Sequence, residues 1–209
     1  MSHALTLMQW LSPAFPVGAF AYSHGLEQVI ADEVVADADT LRDWLGDLLE
    51  HGSGRADAIL LAASYRADDP ADVDATARAF AAGAERLKET DLQGAAFCDT
   101  ASAVWGIEIA GLTYPVAVGA AARAVDIPLA ETVPLYLHAF ASNLVSVAQR
   151  ALPLGQTDGQ TVLAALSPII AETAQEAEKI PLEALSSASF AADIAAMRHE
   201  TLQPRIFRT

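Results

Sequence analysis

An all-α fold, arranged as one single-domain bundle of roughly eight to ten helices, is what this 209-residue chain predicts over residues 1–209. Three observations carry that expectation. Alanine and leucine, strong helix formers, are abundant, whereas runs of Val, Ile, Thr and aromatic residues suited to strands are few and short. Apolar residues recur at helical spacing. Glycine and proline punctuate the chain, yet no internal repeat and no linker long or polar enough to separate two domains interrupts it.

The elements follow in order. A short helix over 4–11 leads into a turn built on Pro13 and Pro16. A second helix, beginning within 19–23, carries Leu26, Val29 and Ile30 on one face. Asp39 and Thr40 are expected to cap a third, whose stripe is Leu41, Trp44, Leu45, Leu48 and Leu49. Gly52-Ser53-Gly54 marks a break, a helix resumes over 55–66, and Asp68-Asp69-Pro70 ends it and opens the next. Residues 71–105 read as one or two helices, interrupted near Gly83 and over 88–90. A loop over 111–115 precedes a short helix at 116–125. Pro128 and Pro134 bracket the start of a long helix over 135–151, apolar on more than one side as a central bundle helix is. Turn residues make 153–159 a polar loop. Helices over 160–178 and 181–197 complete the bundle, and the last residues leave it.

Composition narrows the function. The formal net charge is −15, from 27 acidic and 12 basic residues, so phosphate backbones and anionic membrane surfaces repel the chain. No run of about 18 apolar residues and no basic, apolar leader is present, which predicts a cytoplasmic protein. Cys98 is the only cysteine; an internal disulfide is impossible, and its apolar neighbours predict a buried, inert thiol. A mean hydropathy of +0.28 in such a chain points to an oligomer or an obligate partner.

The chemistry-bearing residues form no convincing active site. Ser23, His24 and Glu27 have the residue types of a nucleophile triad, but neighbours on a helix point about 100° apart and no strand–turn–helix elbow exposes a serine. The five histidines, His3, His24, His51, His138 and His199, have no second His and no Cys at i, i+4 spacing, so no metal site within one chain is expected. Neither a phosphate-binding G-x-x-x-x-G-K-[ST] loop nor a G-x-G-x-x-G fingerprint occurs. Contact chemistry stands out instead. Residues 12–27, SPAFPVGAFAYSHGLE, crowd Phe15, Phe20 and Tyr22 onto a rigid frame of Pro13, Pro16 and Gly18. The tail over 203–209 sets Arg205 and Arg208 around Ile206 and Phe207 in an otherwise acidic chain, and arginine and aromatic residues are the types enriched in binding hot spots.

That first segment resembles the UreF family of urease accessory proteins, and further blocks repeat the likeness in the family's order. They are Leu92-Gln93-Gly94, Tyr114-Pro115-Val116-Ala117-Val118-Gly119, Ser142-Asn143-Leu144-Val145-Ser146, the run from Pro153 to Gln160, and Met197-Arg198-His199-Glu200-Thr201-Leu202 with the tail behind it. The resemblance implies an all-α helper without an active site or cofactor. It also implies a homodimer that binds a UreD/UreH-type accessory protein, recruits a UreG-type GTPase, modulates that GTPase, and serves nickel insertion into apo-urease. On this chain it makes Phe20, Tyr22 and His24 of the first motif and Arg205, Phe207 and Arg208 of the tail the partner-binding residues. Pro204 before Arg205 departs from the family's pattern and restricts Gln203. The alternatives are a helical hydrolase using His24 or His199 with nearby carboxylates, and a structural dimerisation module.

Overall fold

The computed structural model describes residues 2–208; Met1 and the tail's Thr209 lie outside the described residues. The described residues form ten α-helices, α1 (His3–Trp10), α2 (Leu26–Ala31), α3 (Ala38–Glu50), α4 (Ser53–Arg66), α5 (Ala71–Phe80), α6 (Ala84–Trp105), α7 (Tyr114–Ala124), α8 (Leu129–Ala151), α9 (Gln156–Ala177) and α10 (Phe190–His199). Short 3₁₀ turns occupy Ala19–Ala21 and Leu182–Ala184, and no strand occurs among the described residues. The all-α expectation holds.

α4 is the axis of the bundle. Every residue from 56 to 64 is buried, so the helix is covered on all sides, a position that the apolar pattern had suggested for the helix at 135–151. α3, α7, α8 and α9 surround it. α7 comes closest because Gly119 has no side chain where the carbonyl of Leu61 sits, and Ser64 Oγ donates to the Val116 carbonyl at 2.8 Å across the same seam. At the N-terminal end a second cluster of rings closes the core. Trp10 meets Phe97 edge-on at 5.4 Å and Trp105 at 5.6 Å, while Phe15 stacks obliquely on Phe97 at 5.5 Å.

Several boundaries differ from expectation for identifiable reasons. α3 is capped by Asp37, not by Asp39 and Thr40. Asp37 Oδ1 accepts the Thr40 amide at 2.9 Å and Thr40 Oγ1 accepts the Asp37 amide at 3.1 Å, a reciprocal capping box. The helix break expected near Gly83 is real, but α6 then runs unbroken through 88–90, where Glu89 and Thr90 are buried and used. α8 begins at Leu129 and takes Pro134 inside it, and α9 likewise carries Pro168. Each proline removes one backbone donor and frees one carbonyl, which packed bundle helices tolerate. α9 starts at Gln156, earlier than 160, because Asp158 turns back to accept the Gly155 amide at 3.1 Å.

The helix expected over 181–197 is the largest miss. Past the 3₁₀ turn the chain is non-helical until α10 begins at Phe190. There the Ala188 amide donates to the His51 carbonyl at 2.8 Å and Ser189 Oγ donates to Asp47, so the last turn of α3 captures the backbone. Arg66 holds the preceding corner, donating to the carbonyls of Glu178 at 2.6 Å and Ile180 at 2.9 Å. Cys98 is buried as expected, and burial pushes its thiol above the ordinary range.

Gly119→Ala drives a methyl into the Leu61 carbonyl and forces α4 and α7 apart. The expected cost is about 1–3 kcal/mol, read as a lowered urea midpoint with unchanged slope.

Candidate functional site

The first motif folds as a platform. Pro13, Ala14 and Phe15 turn the chain so that Phe15 enters the ring cluster, which makes Phe15 core. Gly18, at φ 72°, opens the 3₁₀ turn, and Asn143 of α8 donates to the Ala19 carbonyl at 3.0 Å to fix it. His24 and Gly25 both take left-handed backbone, at φ 52° and 77°. Gly25 has a second reason: a Cβ there would lie 2.6 Å from the Ala196 amide nitrogen, so α10 packs flush on the motif.

Beneath the platform lies a buried polar network. Arg86 of α6 donates from Nη2 to both oxygens of Asp57 of α4, each at 2.8 Å, and Tyr136 of α8 donates to Asp57 Oδ2 at 2.9 Å. Glu89 receives Arg86 Nη1 at 3.5 Å, His24 Nε2 at 2.9 Å and Gln93 Nε2 at 2.8 Å. Burial alone would strip charge from Arg86, but Asp57 and Glu89 outweigh it and hold the guanidinium above even its ordinary range. Burial, with Asp57 beside it, pushes the Tyr136 phenol well above its usual value. Cavities of about 410 and 360 Å³ flank this network and share His24, Asp57, Arg86 and Glu89 as lining.

The tail returns to the same platform. Glu27, in the first turn of α2, accepts the Ile206 amide at 2.6 Å and the Phe207 amide at 2.9 Å, and its Oε2 also lies 2.9 Å from His199 Nε2. The other ring nitrogen of His199 faces Glu85 Oε2 at 3.0 Å, and Arg205 donates to Glu85 Oε1 at 2.6 Å. The Phe207 ring lies under the Arg150 guanidinium, 4.5 Å from its centre, and Arg150 Nη2 donates to the Phe20 carbonyl at 2.8 Å. The Arg208 amide donates to the Ala21 carbonyl at 2.8 Å, and the Gln203-Pro204 bond before the docked stretch is cis.

The six residues singled out in the sequence thus meet in one place but face different ways. Phe20 is 63% exposed, and Arg205 and Arg208 are exposed as well. Tyr22, His24 and Phe207 are buried, with His24 edge-on to Phe140 at 4.9 Å. The pairing of Glu27 with the tail has no signal in the sequence, where Glu27 stands out only beside Ser23 and His24. Arg150 and Glu85 carried no signal of their own, whereas Asn143 sits in one of the recognised blocks. His199 is fully buried with both nitrogens against carboxylates, and His24 is nearly so, which is the setting of structural histidines. Among the described residues no three His, Cys, Asp or Glu side chains form a group suited to a metal ion.

A family model described as UreF matches residues 35–167 of the chain. The chain belongs to the UreF family. The urease accessory protein UreF of Roseobacter denitrificans is 56% identical over 98% of this chain and 93% of its own length. The UreF of Ruegeria sp. strain TM1040 is 58% identical over 98% and 97%, and that of Cereibacter sphaeroides strain ATCC 17029 is 55% identical over 98% of each. The UreF model match leaves out both the first motif and the tail, whereas the matches to these UreF relatives span 98% of the chain. These relatives are named as urease accessory proteins.

Removing one partner of the buried pair leaves a charge stranded. Asp57→Ala is expected to cost about 3–5 kcal/mol, measured by denaturant unfolding, and Asp57→Ala with Arg86→Met to recover part of that loss.

Proposed function

We propose that this chain is a non-enzymatic assembly factor in urease maturation. It presents the composite surface of motif and tail to a UreD/UreH-type accessory protein, and the pair recruits a UreG-type GTPase for nickel delivery to apo-urease in the cytoplasm. Nickel is the cargo of that assembly; this chain supplies shape and contact.

The observation that carries the reading is the docked tail. Phe20 and Ile206, 63% and 70% exposed, stand beside the cations of Arg150, Arg205 and Arg208. An apolar and basic island on a chain of net charge −15 is a contact surface for a partner with complementary acidic and apolar groups. Tyr22, His24 and Phe207 serve the same surface from below, by holding the backbone that displays it. The homodimer is assigned to the neighbouring apolar patch, where α1 exposes Leu5 and Met8 at 66% and 67% and α8 exposes Leu135 at 39%. Met8 and Leu135 line the same cavity wall, and such a patch is covered in oligomers. Among the described residues no helix is long and apolar enough to cross a membrane.

Co-purification with the UreD/UreH-type and UreG-type partners tests the reading. The wild type is expected to form the ternary assembly. Arg205→Ala is expected to weaken capture at least tenfold at unchanged thermal stability, and deletion after Leu202 to weaken it at least as much while lowering the melting temperature, because buried Phe207 is lost with the tail. A wild type that captures neither partner under any nucleotide condition overturns the proposal. Met8→Arg is expected to convert the dimer to a monomer in sedimentation, leaving helicity by circular dichroism unchanged.

A further inference from the structure

We propose that Glu27 is the positioning residue that sets the register of the C-terminal tail, and with it the choice of tail side chains that face a partner. The inference rests on the reading of the tail as a partner surface and adds the device that shapes it. One carboxylate accepts two consecutive backbone amides, Ile206 N–H at Oε1 and Phe207 N–H at Oε2, at 2.6 and 2.9 Å. A docked, non-helical segment points successive side chains to opposite sides. Here the alternation is plain: Ile206 is 70% exposed, Phe207 3%, and Arg208 exposed. A slip of one residue would turn Phe207 outward and press Ile206 or Arg208 under Arg150.

The anchor is itself fixed. Glu27 is buried in the first turn of α2, directly after the left-handed pair His24 and Gly25 that sets the entry of the helix. His199 Nε2 touches Glu27 Oε2 at 2.9 Å and Nδ1 touches Glu85 at 3.0 Å, so the end of α10 is locked between the same two carboxylates that receive the tail. Glu85 then takes Arg205 at 2.6 Å. Glu27, His199, Glu85 and Arg205 form one continuous row of alternating acid and base. Within it Glu27 alone contacts the tail backbone, which is the part of the tail that a register depends on. A role as dipole partner of the six-residue α2 accounts for neither tail amide.

Backbone amide exchange by NMR on the isolated chain, alone and then with the UreD/UreH-type partner, decides the matter. Glu27→Gln keeps the shape of the side chain but presents an amide nitrogen to groups that donate. It is expected to raise exchange at Ile206 and Phe207 roughly tenfold or more, leave the amides of α4 and α7 unchanged, and weaken partner capture. Glu85→Gln, which frees Arg205 but leaves the two tail bonds, is expected to keep both amides protected. Should Glu27→Gln fail to fold, Ile206→Pro removes one of the two donors at an exposed position, and exchange at Phe207 and Arg208 is then expected to rise. Unchanged tail protection in Glu27→Gln, or a rise in tail exchange matched by an equal rise in α4, overturns the proposal, as does unchanged exchange in Ile206→Pro. These readouts need no partner. A wild type that captures nothing therefore overturns the scaffold reading, while the register assignment stands or falls on exchange alone.

Discussion

The buried pair of Arg86 and Asp57 is the interaction on which the rest of the molecule depends. A guanidinium in the middle of an Ala- and Leu-rich bundle is tolerable only if every side of it is answered, and the answers come from separate elements. Asp57 belongs to α4, Glu89 to α6 itself, and Tyr136 to α8, which completes the shell around Asp57. Those helices therefore have one mutual arrangement in which the charge is satisfied. Glu89 carries the constraint outward, since His24 of the first motif is its next partner. The motif is thus held at two places, by Phe15 in the ring cluster and by His24 on the polar network.

What stands on that foundation is display. The 3₁₀ turn Ala19–Ala21 offers its carbonyls to Asn143, Arg150 and the Arg208 amide, so backbone that would otherwise be open to water is shared among α8, the motif and the tail. Phe207 occupies the space between them, and the side chains of Phe20, Ile206 and Arg208 are left facing out. Hydrogen-bonding capacity is largely spent on neighbours within the chain. What remains for another molecule is apolar area edged with fixed positive charge, a combination suited to recognition.

Much of the fold was legible because helix periodicity and turn residues are local. α3, α4 and α7 announce themselves by apolar spacing and by Gly and Pro at their ends. The failures mark places where distant partners overrule local preference. Asp37 wins the cap of α3 because Thr40 answers it with both its amide and its hydroxyl. The backbone at 185–189 stays out of helix because the end of α3 takes its amide and hydroxyl. At the site, the sequence displays Phe20, Tyr22, His24, Arg205, Phe207 and Arg208 as unusual, but does not say which face inward. Nothing local could reveal that Glu27 meets His199, a separation of 172 positions, or that His199 meets Glu85 across 114.

The docking of Phe207 on Glu27 spans 180 positions, almost the whole chain. Contacts between opposite ends of a polypeptide close last, and during synthesis the tail is still inside the ribosome when the motif has already emerged. A nascent or prematurely ended chain can build α4, its neighbours and the network around Arg86, yet it leaves the Glu27 carboxylate and the groove under Arg150 unfilled. The composite surface of motif and tail is in this sense a late product of synthesis, absent until the segment carrying Phe207 has been made.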